Sequence, residues 1–108
     1  MGKKSKEKGK RGERDLAKKL TSLFNVSARR GQQYKGAPDA PDVIAFEDIH
    51  IECKRVEKFN AYTAMNQAED DAGNKVPIVL HKRNYKPWLV VVKLDDLPEL
   101  IRILEEYL

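Results

Sequence analysis

Cys53 is the only cysteine among the 108 residues, and His50 and His81 are the only histidines. An internal disulfide is therefore impossible, a reducing compartment fits, and zinc-finger chemistry lacks its ligands. No apolar run approaches the roughly 20 residues that cross a bilayer. The N-terminus is charged with no apolar stretch behind it, unlike a secretory signal. A membrane partner is not expected, and the expected setting is the cytoplasm. So short a chain holds one domain around one core. That domain is expected over residues 10–108, after a flexible basic tail at 1–9.

Charge is what the sequence has in quantity: 35% of its residues are Asp, Glu, Lys or Arg, with a net charge of +4. Lys3, Lys4, Lys6, Lys8, Lys10 and Arg11 crowd the N-terminus with only Glu7 against them. Arg29–Arg30 and Lys82–Arg83, with Lys86 close by, form further clusters. Such clusters suit a polyanion, and binding through them depends steeply on salt.

Leu16, Ala17, Leu20, Leu23 and Phe24 recur at helical spacing, so a helix is expected from Gly12 to about Asn25. A short strand at Val26–Arg30 and a Gly/Pro-rich loop from Gly31 to Pro41 follow. Tyr34 and Lys35 in that loop are candidate substrate contacts. Asp42–Phe46 and Ile49–Lys54 read as a β-hairpin, although Glu47–Asp48 is a poor two-residue turn. Asn60 is placed to cap a helix carrying Ala61, Ala64, Met65, Ala68 and Ala72, with Gly73 stopping it. Pro77–Leu80 and Trp88–Val92 read as strands, the second apolar enough for burial on both faces. Asp96 is expected to cap a last helix turning Leu97, Leu100, Ile101, Leu104 and Leu108 inward. The order α-β-β-β-α-β-β-α describes an α/β fold, a mixed sheet flanked by helices.

The chemistry concentrates in Ile49-His50-Ile51-Glu52-Cys53-Lys54. Side chains alternate along a strand, so His50, Glu52 and Lys54 share one face about 7 Å apart. Cys53 lies on the other face as a small buried residue. Phe46 set opposite Ile49 brings Asp42 beside Cys53, with Glu52 and Lys54 adjacent. Two carboxylates so close favour a divalent cation, and oxygen ligands suit Mg²⁺ or Mn²⁺. Glu13 sits on the apolar stripe of the first helix, where a carboxylate needs a partner, or else serves the helix dipole. Gln67 lies beside the alanine stripe, flanking the site or simply solvated. His50 and His81 read as surface polar residues, and Trp88 as a core anchor.

Pro41-Asp42 followed by Glu52-Cys53-Lys54, between the Gly12-Glu13 helix and the Gln67 helix, resembles the PD-(D/E)xK nuclease signature. Within that superfamily the likeness is to small phage-encoded endonucleases related to archaeal Holliday junction resolvases. It runs from Gly12 to about Val92 and takes in the Arg83-Asn84 and Lys86-Pro87-Trp88 stretch. Pro38-Asp39 is a second Pro-Asp pair, but only Asp42 leads directly into an apolar strand. The resemblance implies a restriction-endonuclease-like core and a homodimer that cuts DNA phosphodiester bonds at branches such as Holliday junctions, in DNA recombination. It implies that Asp42, Glu52 and the Cys53 carbonyl hold Mg²⁺, with Mn²⁺ as a substitute, and that Glu13 assists directly or through water. Lys54 would complete the catalytic set. Lys10, Arg11, Arg29, Arg30, Lys35, Gln67, Lys82 and Arg83 are the candidate DNA contacts. A phage-encoded enzyme would act in the host cytoplasm. A nickase or restriction-like enzyme on ordinary duplex, and a binding module without catalysis, remain alternatives.

Overall fold

The computed structural model describes residues 3–31 and 41–108; Tyr34 and Lys35, the candidate substrate contacts, lie outside the described residues. Its elements follow the expected order. They are α1 (Lys3–Leu23), β1 (Arg29–Arg30), β2 (Val43–Ile44), β3 (Ile49–Arg55), α2 (Ala61–Ala72), β4 (Val76–Lys82), β5 (Leu89–Val91) and α3 (Leu97–Glu105), with a 3-10 turn at Leu94–Asp96. The strands form one five-stranded sheet in the order β1-β2-β3-β4-β5. Among the described strands only the β3–β4 pair is parallel. A parallel step needs a crossover, and α2 supplies it. The chain is α/β with a mixed sheet flanked by three helices, as a restriction-endonuclease-like core requires.

Alternation along β3 divides the interior. Ile49, Ile51 and Cys53 join Val43, Ile78 and Leu80 in a core shared with Leu16, Ala17 and Leu20 of α1 and Leu100 of α3. On the opposite face Val79 meets Ala64, Met65 and Ala68 of α2. The alanines of α2 keep that helix close to the sheet, over the strand face that carries the polar residues. Asn60 caps α2 as expected, its side chain accepting a hydrogen bond from the Thr63 amide at 3.0 Å. Gly73 closes the helix at φ +61°, which costs glycine nothing.

Five local expectations are corrected. Helix α1 begins at Lys3 rather than at Gly12, and Lys8 pairs with Glu57 at 4.0 Å. Adding a residue to an existing helix costs little, because nucleation is the costly step. Leu23 is exposed, and Phe24, just past the helix end, packs on the core instead. Only Arg29–Arg30 of the first expected strand pairs with β2. Leu89 and Val90 of β5 are 57% and 60% exposed, because β5 is the sheet edge and antiparallel, not an interior parallel strand. Leu100, Ile103 and Leu104 of α3 and Tyr107 just after it face the core, whereas Leu97, Ile101 and Leu108 are exposed. The inward set has the i, i+3, i+4, i+7 spacing that Tyr107 completes. Tyr107 meets Phe46 edge-on at 5.0 Å, and Phe24 meets Phe46 likewise at 5.2 Å.

The hairpin register is the correction with chemical consequence. Val43 pairs with Ile51, one residue away from the register that a two-residue Glu47–Asp48 turn would give. A turn does close over Glu47–Asp48, the Ile49 amide donating to the Phe46 carbonyl at 3.4 Å. The two-residue hairpins that keep the simple register, however, need positive φ at the first central residue or at both, and neither Glu47 nor Asp48 has it. A slip of one residue moves a strand's side chains to the other face of the sheet. Continued back to Asp42, the observed register sets it across from Glu52, on the same face, rather than across from Cys53.

Candidate active site

Each polar residue of the β3 face has a partner: His50 has Glu52 on the same strand, Lys54 has Gln67 of α2, and Glu52 has Asp42. Asp42 is held at the start of β2 by two bonds to β3. Its amide donates to the Ile51 carbonyl at 3.0 Å, and its carboxylate accepts from the Cys53 amide at 2.8 Å. Burial pushes the Asp42 carboxyl up to about 7. The Cys53 amide opposes that rise, while the charges of Glu52 and Glu13 and a hydrogen bond with Glu52 add to it. Asp42 and Glu52 are thus in contact with Glu13 in electrostatic range. Glu13 reaches the site from α1, and its Oε1 accepts from Arg30 Nε at 2.9 Å. Arg30, a candidate DNA contact, is thereby committed to an ion pair within the fold.

Lys54 follows Glu52 by two residues and donates from Nζ to Gln67 Oε1 of α2 at 3.1 Å. One turn further along α2, Asp71 shares the stripe of Gln67. Asp71, Glu52 and His50 place one ligand atom each within 4.8 Å of one another. His50 Nε2 lies 2.9 Å from Glu52 Oε1, and both side chains are buried. The expectation of a surface His50 is therefore corrected: it stands on β3 under α2. His81 is corrected too, buried against the Phe59 ring at 3.9 Å with Nε2 2.9 Å from the Val56 carbonyl oxygen. That ring is a packing group.

The donor set fits a divalent cation. Asp42, Glu52 and Glu13 bring carboxylates close together, and a bound cation would offset both the burial and the neighbouring charge that keep the Asp42 proton on. Oxygen donors alone suit Mg²⁺; an added imidazole suits Mn²⁺ as well. Cys53 is no nucleophile in this setting. Burial first, then the charges of Asp42 and Glu13, pushes its thiol up to about 12.

The structure thus brings Glu13, Asp42, Glu52, Lys54 and Gln67 together and adds His50 and Asp71. The signals for the last two are present in the sequence: His50 is two residues before Glu52 on a strand, and Asp71 four after Gln67 on a helix. Lys10, Arg11, Arg29 and Arg83 are exposed and Lys82 is half-buried. Of these, Lys82 and Arg83 stand at the Lys54 end of the sheet, because Lys54 pairs with His81 and Arg55 with Lys82. No described helix is long and apolar enough to cross a membrane. Over residues 4–107 the chain matches the family described as phage putative PDDEXK endonuclease. No curated protein and no solved structure matches it.

Proposed function

From the premise that the chain belongs to the phage putative PDDEXK endonuclease family, we propose that it is a divalent-metal-dependent endonuclease acting on branched DNA as a homodimer. The observation that carries the chemistry is the contact of Asp42 with Glu52, with Lys54 next on the same strand face and held by Gln67. Asp42, Glu52 and the Cys53 carbonyl would hold Mg²⁺, with Mn²⁺ as a substitute, and Glu13 would assist through its charge. When bound, the cation polarises the phosphodiester and lowers the pKa of the attacking water.

The protein's own residues do the rest. The Cys53 amide and the Ile51 carbonyl fix Asp42. Gln67 orients the Lys54 ammonium, which stabilises the charge that develops on the phosphate. Exposed Lys10, Arg11, Arg29 and Arg83 offer phosphate contacts to the DNA. Branched DNA as substrate rests on the sequence's resemblance to small phage-encoded endonucleases related to archaeal Holliday junction resolvases. A second copy is supported by the open edge of β5, where apolar Leu89 and Val90 are exposed.

The test is cleavage of a labelled four-way junction and of a linear duplex of the same sequence, with Mg²⁺ and with chelator. Junction cutting that needs Mg²⁺ and fails in Glu52→Ala is expected. Equal cutting of both DNAs would replace the junction reading with the duplex nickase. Tight binding without cutting in Mg²⁺ or Mn²⁺ would leave a binding module.

A further inference from the structure

Tyr85 is the only non-glycine described residue with positive φ, at 63°, and its side chain is fully exposed. A left-handed backbone is unfavourable for any residue with a Cβ and is ordinarily given to Gly or Asn. Asn84 is the immediate neighbour, yet the aromatic residue occupies the strained position. A large ring in open water at a strained turn stabilises nothing in the fold, and strain of this kind collects at functional sites.

The turn that presents Tyr85 is held firmly. Asn84 Oδ1 accepts from Arg55 Nη2 at 2.8 Å, and the Asn84 amide donates to Glu57 Oε2 at 2.8 Å. The Lys86 amide closes the turn on the Arg83 carbonyl at 3.2 Å. Both anchors, Arg55 and Glu57, follow closely on Lys54 along the chain. Lys82, Arg83 and Lys86 flank Tyr85 along the chain, and Arg83, Lys86 and Pro87 line a hollow beside the same turn. An exposed aromatic ring carried on an anchored turn next to basic residues, at the Lys54 end of the sheet, can serve as a base-stacking platform.

We infer that Tyr85 stacks on a base left unpaired at or near the cleavage point, so that the turn selects DNA whose helix is interrupted. This rests on the DNA reading proposed above and deepens it, by giving the preference for branched substrate a residue. The ring would take the place of the lost neighbouring base while Arg83 and Lys86 hold the flanking phosphates. Fully paired duplex offers no free base face and gains nothing from Tyr85.

Binding of wild type, Tyr85→Gly and Tyr85→Phe to two DNAs in Ca²⁺ tests it. One DNA is a continuous duplex; the other carries an unpaired 2-aminopurine beside a branch. Glycine suits the backbone at this position, so Tyr85→Gly should fold at least as well as wild type, checked by its melting temperature. The expected result is loss of affinity by about tenfold for the interrupted DNA only, together with loss of 2-aminopurine quenching. Tyr85→Phe should keep both. Equal affinity of Tyr85→Gly and wild type, equal loss on both DNAs, or loss in Tyr85→Phe would overturn the stacking role. A wild type that binds neither DNA would overturn the DNA reading with it.

Discussion

Gln67 accepts a hydrogen bond from Lys54 across the gap between α2 and β3, at 3.1 Å. An ammonium on a four-carbon stem has many rotamers, and this bond selects one of them. Lys54→Ala should lower the cleavage rate by roughly a hundredfold to a thousandfold, as loss of a charge-stabilising donor does. Gln67→Ala leaves the ammonium present but unaligned, so a smaller loss of roughly tenfold to a hundredfold is expected. Single-turnover rates at saturating enzyme separate the two variants. A Gln67→Ala rate equal to wild type would show that solvent orients Lys54 equally well.

The ligand atoms of His50, Glu52 and Asp71 lie within 4.8 Å of one another. Imidazole is a better ligand for Mn²⁺ than for Mg²⁺. His50→Gln should therefore weaken Mn²⁺ binding by roughly tenfold or more while changing Mg²⁺ binding little. Titration calorimetry of the DNA-free protein reads this without reference to activity. Unchanged Mn²⁺ affinity in both His50→Gln and Asp71→Asn would remove these two residues from the metal site.

Asp42 gives the protein a pH dependence whose sign is opposite to that of most carboxylates. Its folded pKa of about 7 lies above the ordinary 3.8, mainly because of burial, so the folded state binds this proton more tightly than the unfolded chain. The associated stability is fully present below 3.8 and is lost as pH rises through about 7. Without metal, the melting temperature of wild type relative to Asp42→Asn should fall across that interval. Saturating Mn²⁺ should reverse the fall, since the cation takes over from the proton. A difference between the two proteins that stays flat across the interval would contradict a raised Asp42 pKa.

The element order and the β3 polar face are legible in the sequence because strand alternation and helix period are local properties. Asp42 stands out by its place before an apolar strand, but its pairing differs by one residue from the simplest hairpin. Register depends on the turn, and Glu47–Asp48 carries no strong turn signal. His50 is hidden for a different reason. Proximity to a turn in sequence suggests exposure, whereas α2 covers that part of β3, and the crossover packing of a helix is invisible in β3's own residues. Tyr107 takes the inward place expected of Leu108 just after α3 because two aromatic rings, Phe24 and Phe46, stand near the C-terminus.

Gly12 sits where α1 crosses β3, and a Cβ there would lie 2.7 Å from the Cβ of Arg55 and 3.0 Å from its Cγ. The Arg55 Cβ is fixed by the strand, and the guanidinium is anchored by the Lys82 carbonyl and Asn84. Neither atom can swing away, so alanine must push the helix off the sheet. Replacing a mid-helix glycine by alanine ordinarily gains up to about 1 kcal/mol. A Cβ at Gly9 would meet nothing within 4 Å, so Gly9→Ala should show that gain. Gly12→Ala should instead lose about 1–3 kcal/mol, as overpacking does. Glu13 is the next residue, so the same shift should slow cleavage beyond what the stability loss explains. Urea denaturation of the pair gives the comparison, and a gain in both variants would mean that α1 and β3 are not in close contact at Gly12.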